Sequence, residues 1–288
     1  MNPSPTLRKT ALLAALCCAA IGAQAAEWSD TSISYRYGNR FREPFNPNNI
    51  SKNIVGLTHA SGYKYGTNFF NVDMLMSDNK DPASATSTNG AQEVYIVYRN
   101  TFDIGKISGK PIKWGVVNGV GITAGFDYNT KADAGYNSKK RMLVLGPTLS
   151  FDVPGFLNVG LLGLWESNAP YSTFTNVSTP RYSYRAHPAL SVAWAIPISA
   201  VPGLSFEGFG LYIASKGNDE FRTATAPETN IDMQLMYDVG AAMGAPKGTF
   251  KVGLEYQYWK NKFGNNANGP AGSGAFARTP MIRAEYHF

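Results

Sequence analysis

Charged and aromatic side chains recur at every second position along this 288-residue sequence, a spacing that lines a wall rather than gathers a catalytic cluster. Glu93, Tyr95 and Arg99 share one parity, as do Asp232 and Asp238, then Lys251, Glu255 and Trp259, then Arg283 and Glu285. Arg36, Arg40, Asp73, Asp127, Arg185 and His187 extend the set. On neighbouring strands, opposed charges pair and keep a narrow, wet interior in shape. The same groups can choose a solute by charge and hydrogen bonding. Tyr95 and Trp259 are the aromatics on otherwise polar faces. A sugar ring or nucleobase would stack there, with Glu93 or Asp238 accepting from its hydroxyls or amines. Trp259 falls near a strand end and fits an aromatic girdle equally well.

Twelve strands must position these residues. The clearest cover Glu93–Arg99, Gly115–Tyr128, Asn230–Val239, Phe250–Trp259 and Pro280–Phe288; weaker ones lie near 31–39, 53–60, 67–77, 141–151, 158–166, 183–196 and 204–214. In the last of them Pro280, Ile282, Ala284, Tyr286 and Phe288 share one face, and Met281, Arg283, Glu285 and His287 the other. Connectors alternate in length: 40–52, 78–91, 129–139, 167–182, 215–229 and 260–278 read as long polar loops. Ser61–Lys64, Val153–Phe156 and Gly244–Gly248 read as short turns, with slightly longer links at 103–112 and 197–203. This is the asymmetry of an all-β transmembrane antiparallel barrel with short periplasmic turns and longer extracellular loops. A terminal strand closing in Phe288 fits recognition by the barrel assembly machinery. A secreted β-sandwich is the soluble alternative, but its strands would not divide so cleanly into apolar and charged faces.

The first residues read as a secretory signal. Arg8 and Lys9 precede an apolar run from Leu12 to Ile21, and Ala23-Gln24-Ala25 offers a small-x-small cleavage site, leaving a single domain over 26–288. Cys17 and Cys18 are the only cysteines and would leave with the signal, while Leu16 disfavours lipidation. The chain carries 26 basic and 20 acidic residues; without Arg8 and Lys9 the balance is 24 − 20 = +4. So small and dispersed an excess argues against a nucleic-acid partner. No 18-residue apolar run follows the signal, which excludes a membrane-spanning helix.

Catalysis finds one weak foothold. His59-Ala60-Ser61 has an H-x-S pairing like that of an outer-membrane phospholipase, yet it falls at a periplasmic turn and lacks an evident third group. His187 and His287 are isolated, and no HExxH, CxxC, Walker or EF-hand spacing occurs. The sequence therefore points to no catalytic residue, no metal ligand and no cofactor.

Three segments carry a family resemblance: Tyr35-Arg36-Tyr37-Gly38-Asn39-Arg40-Phe41-Arg42-Glu43-Pro44-Phe45, Gly56-Leu57-Thr58-His59-Ala60-Ser61-Gly62-Tyr63-Lys64-Tyr65-Gly66, and the ending from Gly253-Leu254-Glu255-Tyr256-Gln257-Tyr258-Trp259 through Arg283-Ala284-Glu285-Tyr286-His287-Phe288. They resemble the Tsx-like nucleoside-specific channels of the Gram-negative outer membrane, in the outer-envelope branch. The resemblance implies a monomeric twelve-stranded barrel, embedded in outer-membrane lipid and lipopolysaccharide, that passes nucleosides passively. The alternatives are a channel of the same shape for another small polar or aromatic solute, and an adhesin or receptor scaffold acting through its outer loops.

Overall fold

The structure, a computed structural model, describes residues 26–172 and 176–288; the segment read as a signal, 1–25, lies outside them. Twelve long strands follow in chain order: β1 Trp28–Glu43, β2 Asn46–Tyr63, β3 Gly66–Ser77, β4 Gln92–Asp103, β5 Val117–Ala132, β6 Arg141–Phe151, β7 Phe156–Asn168, β8 His187–Pro197, β9 Leu204–Ile213, β10 Glu228–Asp238, β11 Phe250–Lys260 and β12 Phe276–His287. Each pairs antiparallel with its successor, and β12 returns to β1 from Ser32 opposite His287 to Gly38 opposite Met281. The sheet is therefore a closed barrel with no free edge.

Alternation fixes which side each residue takes. Ile33, Tyr35 and Tyr37 on β1, Leu143 and Leu145 on β6, Val252, Leu254 and Tyr256 on β11, and Ile282 and Tyr286 on β12 all stand exposed on the outside. Their neighbours in sequence, such as Ser34, Arg36, Met142, Val144, Glu255 and Glu285, are buried inside. An apolar belt around a closed barrel is costly in water and favourable in hydrocarbon, where every backbone group is already paired within the sheet. Among the described residues no helix is long and apolar enough to cross a membrane.

One end carries the tight connections. Lys64–Tyr65 joins β2 to β3, and 152–155 joins β6 to β7. A five-residue helix, α1 Ile104–Ser108, links β4 to β5; the Asp103 carboxylate accepts from the Lys106 N–H (3.0 Å), and Gly109 ends the helix at φ 68°. The opposite end carries longer loops at 78–91, 133–140, 169–186, 214–227 and 261–275. Residues 136–137, 171–172 and 177–178 of these loops form a small second sheet.

Two expectations near the start of the chain are corrected. Residues 40–52 do not form a loop: β1 and β2 run on and reverse at Pro44–Phe45, with Phe45 at φ 65°. Phe41, Ile50, Ile54 and Met281 pack together inside and hold the extended hairpin. A bulge between Gly38 and Phe41 also changes the parity, so Arg40 lies exposed while Phe41 and Glu43 are buried.

Candidate functional site

The lumen wall divides into a charged half and an apolar half. The charged half is built on β10–β12 and β1–β5. Arg36 binds Asp73 and reaches Glu255 (3.5 Å); Glu255 also binds Arg283 (2.8 Å), and Arg283 binds Glu285 (2.6 Å). Glu285 meets His287 (3.3 Å), which meets Asp30 at the rim (2.9 Å). Arg36 and Arg283 are direct cross-strand partners, and like charges in that position repel. The three carboxylates around them supply the compensation. Asp232 approaches the same group, accepting weakly from Gln257 Nε2 (3.5 Å). Lys251 pairs with Glu207 (3.1 Å), and Arg99 with Asp127 (2.6 Å).

Closer to the loop end the wall thickens into two ionic clusters. Glu43 lies between Lys52 (2.6 Å), Lys262 (3.0 Å) and Lys131 (3.6 Å). Lys131 also holds Asp81 (2.9 Å) and Asp133 (2.7 Å), so strands β1, β2 and β5 are tied to three loops. Burial pushes the Asp81 carboxyl up to about 6, with the Glu43 charge adding to it and Lys131 opposing. Burial acts in the same sense on Asp133, but Lys131 and an Asp81 hydrogen bond outweigh it and hold Asp133 below its ordinary range. The second cluster joins Lys216 to Glu166 (2.8 Å) and, in the loops above, Tyr136 and Tyr182 to Glu220.

The sequence placed both candidate aromatics on the inward face, and the structure shows what occupies them. The Tyr95 hydroxyl donates to Asp127 (2.9 Å) and accepts from Lys140 (3.2 Å). The Trp259 indole N–H donates to Glu228 (2.6 Å), with Lys262 over its ring (4.6 Å). Both brace the wall. Glu93 likewise accepts from Asn129 (2.6 Å) and lies 3.9 Å from Lys52. His187 is buried and donates from Nδ1 to the Arg185 carbonyl (2.9 Å).

Two expected lining residues lie elsewhere. Asp238 has inward parity, but its carboxylate accepts the N–H groups of Gly240 (2.9 Å) and Gly248 (2.7 Å) and shapes the β10–β11 turn. Arg185 precedes β8 as an exposed loop residue, because pairing of β7 with β8 ends at Leu164 opposite His187. His59 is spent on its cross-strand partner Thr31 (2.8 Å), and among the described residues no carboxylate orients it toward Ser61.

The apolar half went unread in the sequence. Met142, Val144, Leu162, Leu164, Ala189 and Ile213, with Leu211, cover the inner face of β6–β9. Beneath them one cross-strand row runs Gly119, Ser150, Asn158, Ala193, Phe209, Asp232, Gln257. Side chains in such a row point the same way, so Phe209 faces inward beside small neighbours and meets the charged half at Asp232. Phe69 faces inward opposite Arg99. These two rings stay 38% and 39% exposed, whereas Glu255 and Lys52 are at 2% and 1%. Both rings therefore stay open to the lumen off the filled ladder, Phe209 on the small-residue wall and Phe69 within the charged half.

A closed twelve-stranded barrel with an apolar belt outside and charge within is an outer-membrane β-barrel. No protein-family profile and no curated protein sequence matches the chain. Solved structures of similar fold include the KdgM porin (12% identity, 89% of this chain and 99% of that one, TM-score 0.42). The NanC porin is 12% identical over 90% of this chain and 99% of its own, at a TM-score of 0.45. The translocator domain of the autotransporter NalP from Neisseria meningitidis is 11% identical over 98% and 96%, at 0.41. Likenesses this distant carry no argument about what this barrel does, since one barrel fold hosts many functions.

Proposed function

We propose that this protein is a passive, substrate-selective channel for small polar solutes with a flat apolar face, nucleosides above all. The observation that carries the reading is Phe209, an inward ring with open space, set between a wall of Gly, Ser and Ala and a ladder of buried carboxylates and guanidiniums. A nucleobase would stack on Phe209 while its edge and ribose hydroxyls exchange water for Asp232, Gln257 and Asn158. Stacking on one ring with partial desolvation gives modest affinity, which a channel needs for release. The resemblance of three segments to Tsx-like channels supports the same solute. Uptake of radiolabelled adenosine into proteoliposomes tests the proposal. Saturable uptake that unlabelled nucleosides compete and glucose does not is the expected result; equal uptake of both classes would reject the nucleoside reading.

A further inference from the structure

Basic residues on the outside of the loop end lack the carboxylates that neutralise those inside. Arg40, Arg141, Arg181, Lys260 and Arg278 are all exposed, and none has an acidic partner within ion-pair distance among the described residues. Two of them converge. Arg141 opens β6 with parity opposite to the buried Met142, so it projects outward, and its cross-strand neighbours are Tyr128 and Ser167. Arg181 reaches the same place from loop 169–186: Nη1 donates to Ser167 Oγ (3.1 Å) and Nη2 to the Lys139 carbonyl (2.9 Å). The two charges feel each other, because the Arg181 pKa is lowered first by burial and then by Arg141. Directly below, the outward row Phe126, Leu143 and Trp165, with Ile96 and Tyr128 alongside, lines an open groove of about 590 Å³.

We propose that this groove binds a phosphorylated, acylated glycolipid of the outer leaflet, its phosphate held between Arg141 and Arg181 and one acyl chain lying along Ile96, Phe126, Leu143 and Trp165. Charge complementarity selects this occupant. Arg181 on the Ser167 hydroxyl and Arg141 on the adjacent strand place two like charges beside one serine. They repel until an anion sits between them, and phosphate oxygens match their forked donors. The pair stands at the upper edge of the lipid-facing belt, where a headgroup phosphate meets its acyl chains. Tyr128 and Trp165 are the amphipathic rings expected at that depth.

Native mass spectrometry of the purified barrel titrated with hexa-acylated bisphosphoryl lipid A tests the site. The wild-type barrel retains the lipid. Arg141→Ala/Arg181→Ala weakens retention about thirtyfold, the effect of two interfacial cations. Arg40→Ala/Arg278→Ala, on the other side of the barrel, leaves retention within about twofold, since a diffuse girdle charge falls off over a Debye length. Dephosphorylated lipid A binds the wild-type barrel as poorly as the intact lipid binds the first variant, an arm that needs no mutant to fold. Equal retention of both lipids by the wild-type barrel, an unchanged Arg141→Ala/Arg181→Ala variant, or equal losses in both double variants would overturn the site.

Discussion

Glu43→Gln is expected to weaken the barrel far more than a single surface charge would. The Glu43 side chain is 8% exposed and touches three ammonium groups, Lys52 at 2.6 Å, Lys262 at 3.0 Å and Lys131 at 3.6 Å. At an effective dielectric constant of about 20, each contact is worth roughly 4–6 kcal/mol of attraction before desolvation is subtracted. Removing the shared partner of buried charges costs about 3–5 kcal/mol net, because the lysines stay buried and uncompensated. Lys131 and Lys52 keep Asp81, Asp133 and Glu93 nearby, which places the loss toward the lower end. Lys262 has no other carboxylate within ion-pair range among the described residues, and burial pushes its pKa down. Glu43→Gln/Lys262→Met should therefore cost less than the sum of the two single changes, by about 1 kcal/mol or more. Urea unfolding of the barrel refolded into phospholipid vesicles, followed by tryptophan fluorescence, measures all three variants. A Glu43→Gln barrel within about 1 kcal/mol of wild type, or strict additivity with Lys262→Met, would refute the buried-hub reasoning.

Three further outcomes follow from particular contacts. Asp81 faces Lys131 from β5, Glu43 from β1, Lys52 from β2 and Asp133 from its neighbouring loop, and its carboxyl is raised from 3.8 to about 6. A raised folded pKa means that the docked loop gains stability from the protonated form. That gain is full below the unfolded value of 3.8 and is lost as pH rises through about 6. Hydrogen exchange in loop 78–91 should accordingly quicken as pH rises through that window, after correction for intrinsic rates, and Asp81→Asn should abolish the dependence. Asp238→Ala should cost about 1–2 kcal/mol by orphaning two turn N–H groups, yet leave solute affinity unchanged in binding titrations. Phe209→Ala should weaken nucleoside block by about 1–3 kcal/mol, the value of stacking one base, with Tyr95→Phe changing it less.

Much of the wall was legible in the sequence because alternation survives wherever one face is charged and the other apolar. β10, β11 and β12 show this, and Arg36, Asp232, Glu255, Arg283 and Glu285 converge as their parity required. The inner face of β6–β9 escaped for the opposite reason: Leu143, Val144 and Leu145, or Leu161 and Leu162, are apolar on both sides, and period two vanishes. Phe209 was hidden with it. Arg40 was misplaced by one extra residue in a bulge, which inverts every side chain beyond it. The Glu43 hub joins groups as far apart as Lys262, 219 positions along the chain, and no local pattern carries that pairing. Asp238 kept its parity but found two turn amides nearer than any solute.

Single-channel conductance of the refolded protein in a planar bilayer, with nucleosides titrated in, tests the central claim most directly. Small conductance steps, blocked saturably by nucleosides and unaffected by simple sugars, are the expected result, with the block loosened in Phe209→Ala. Steps indifferent to nucleosides would contradict the assigned solute, and a folded barrel that never conducts would contradict the channel itself.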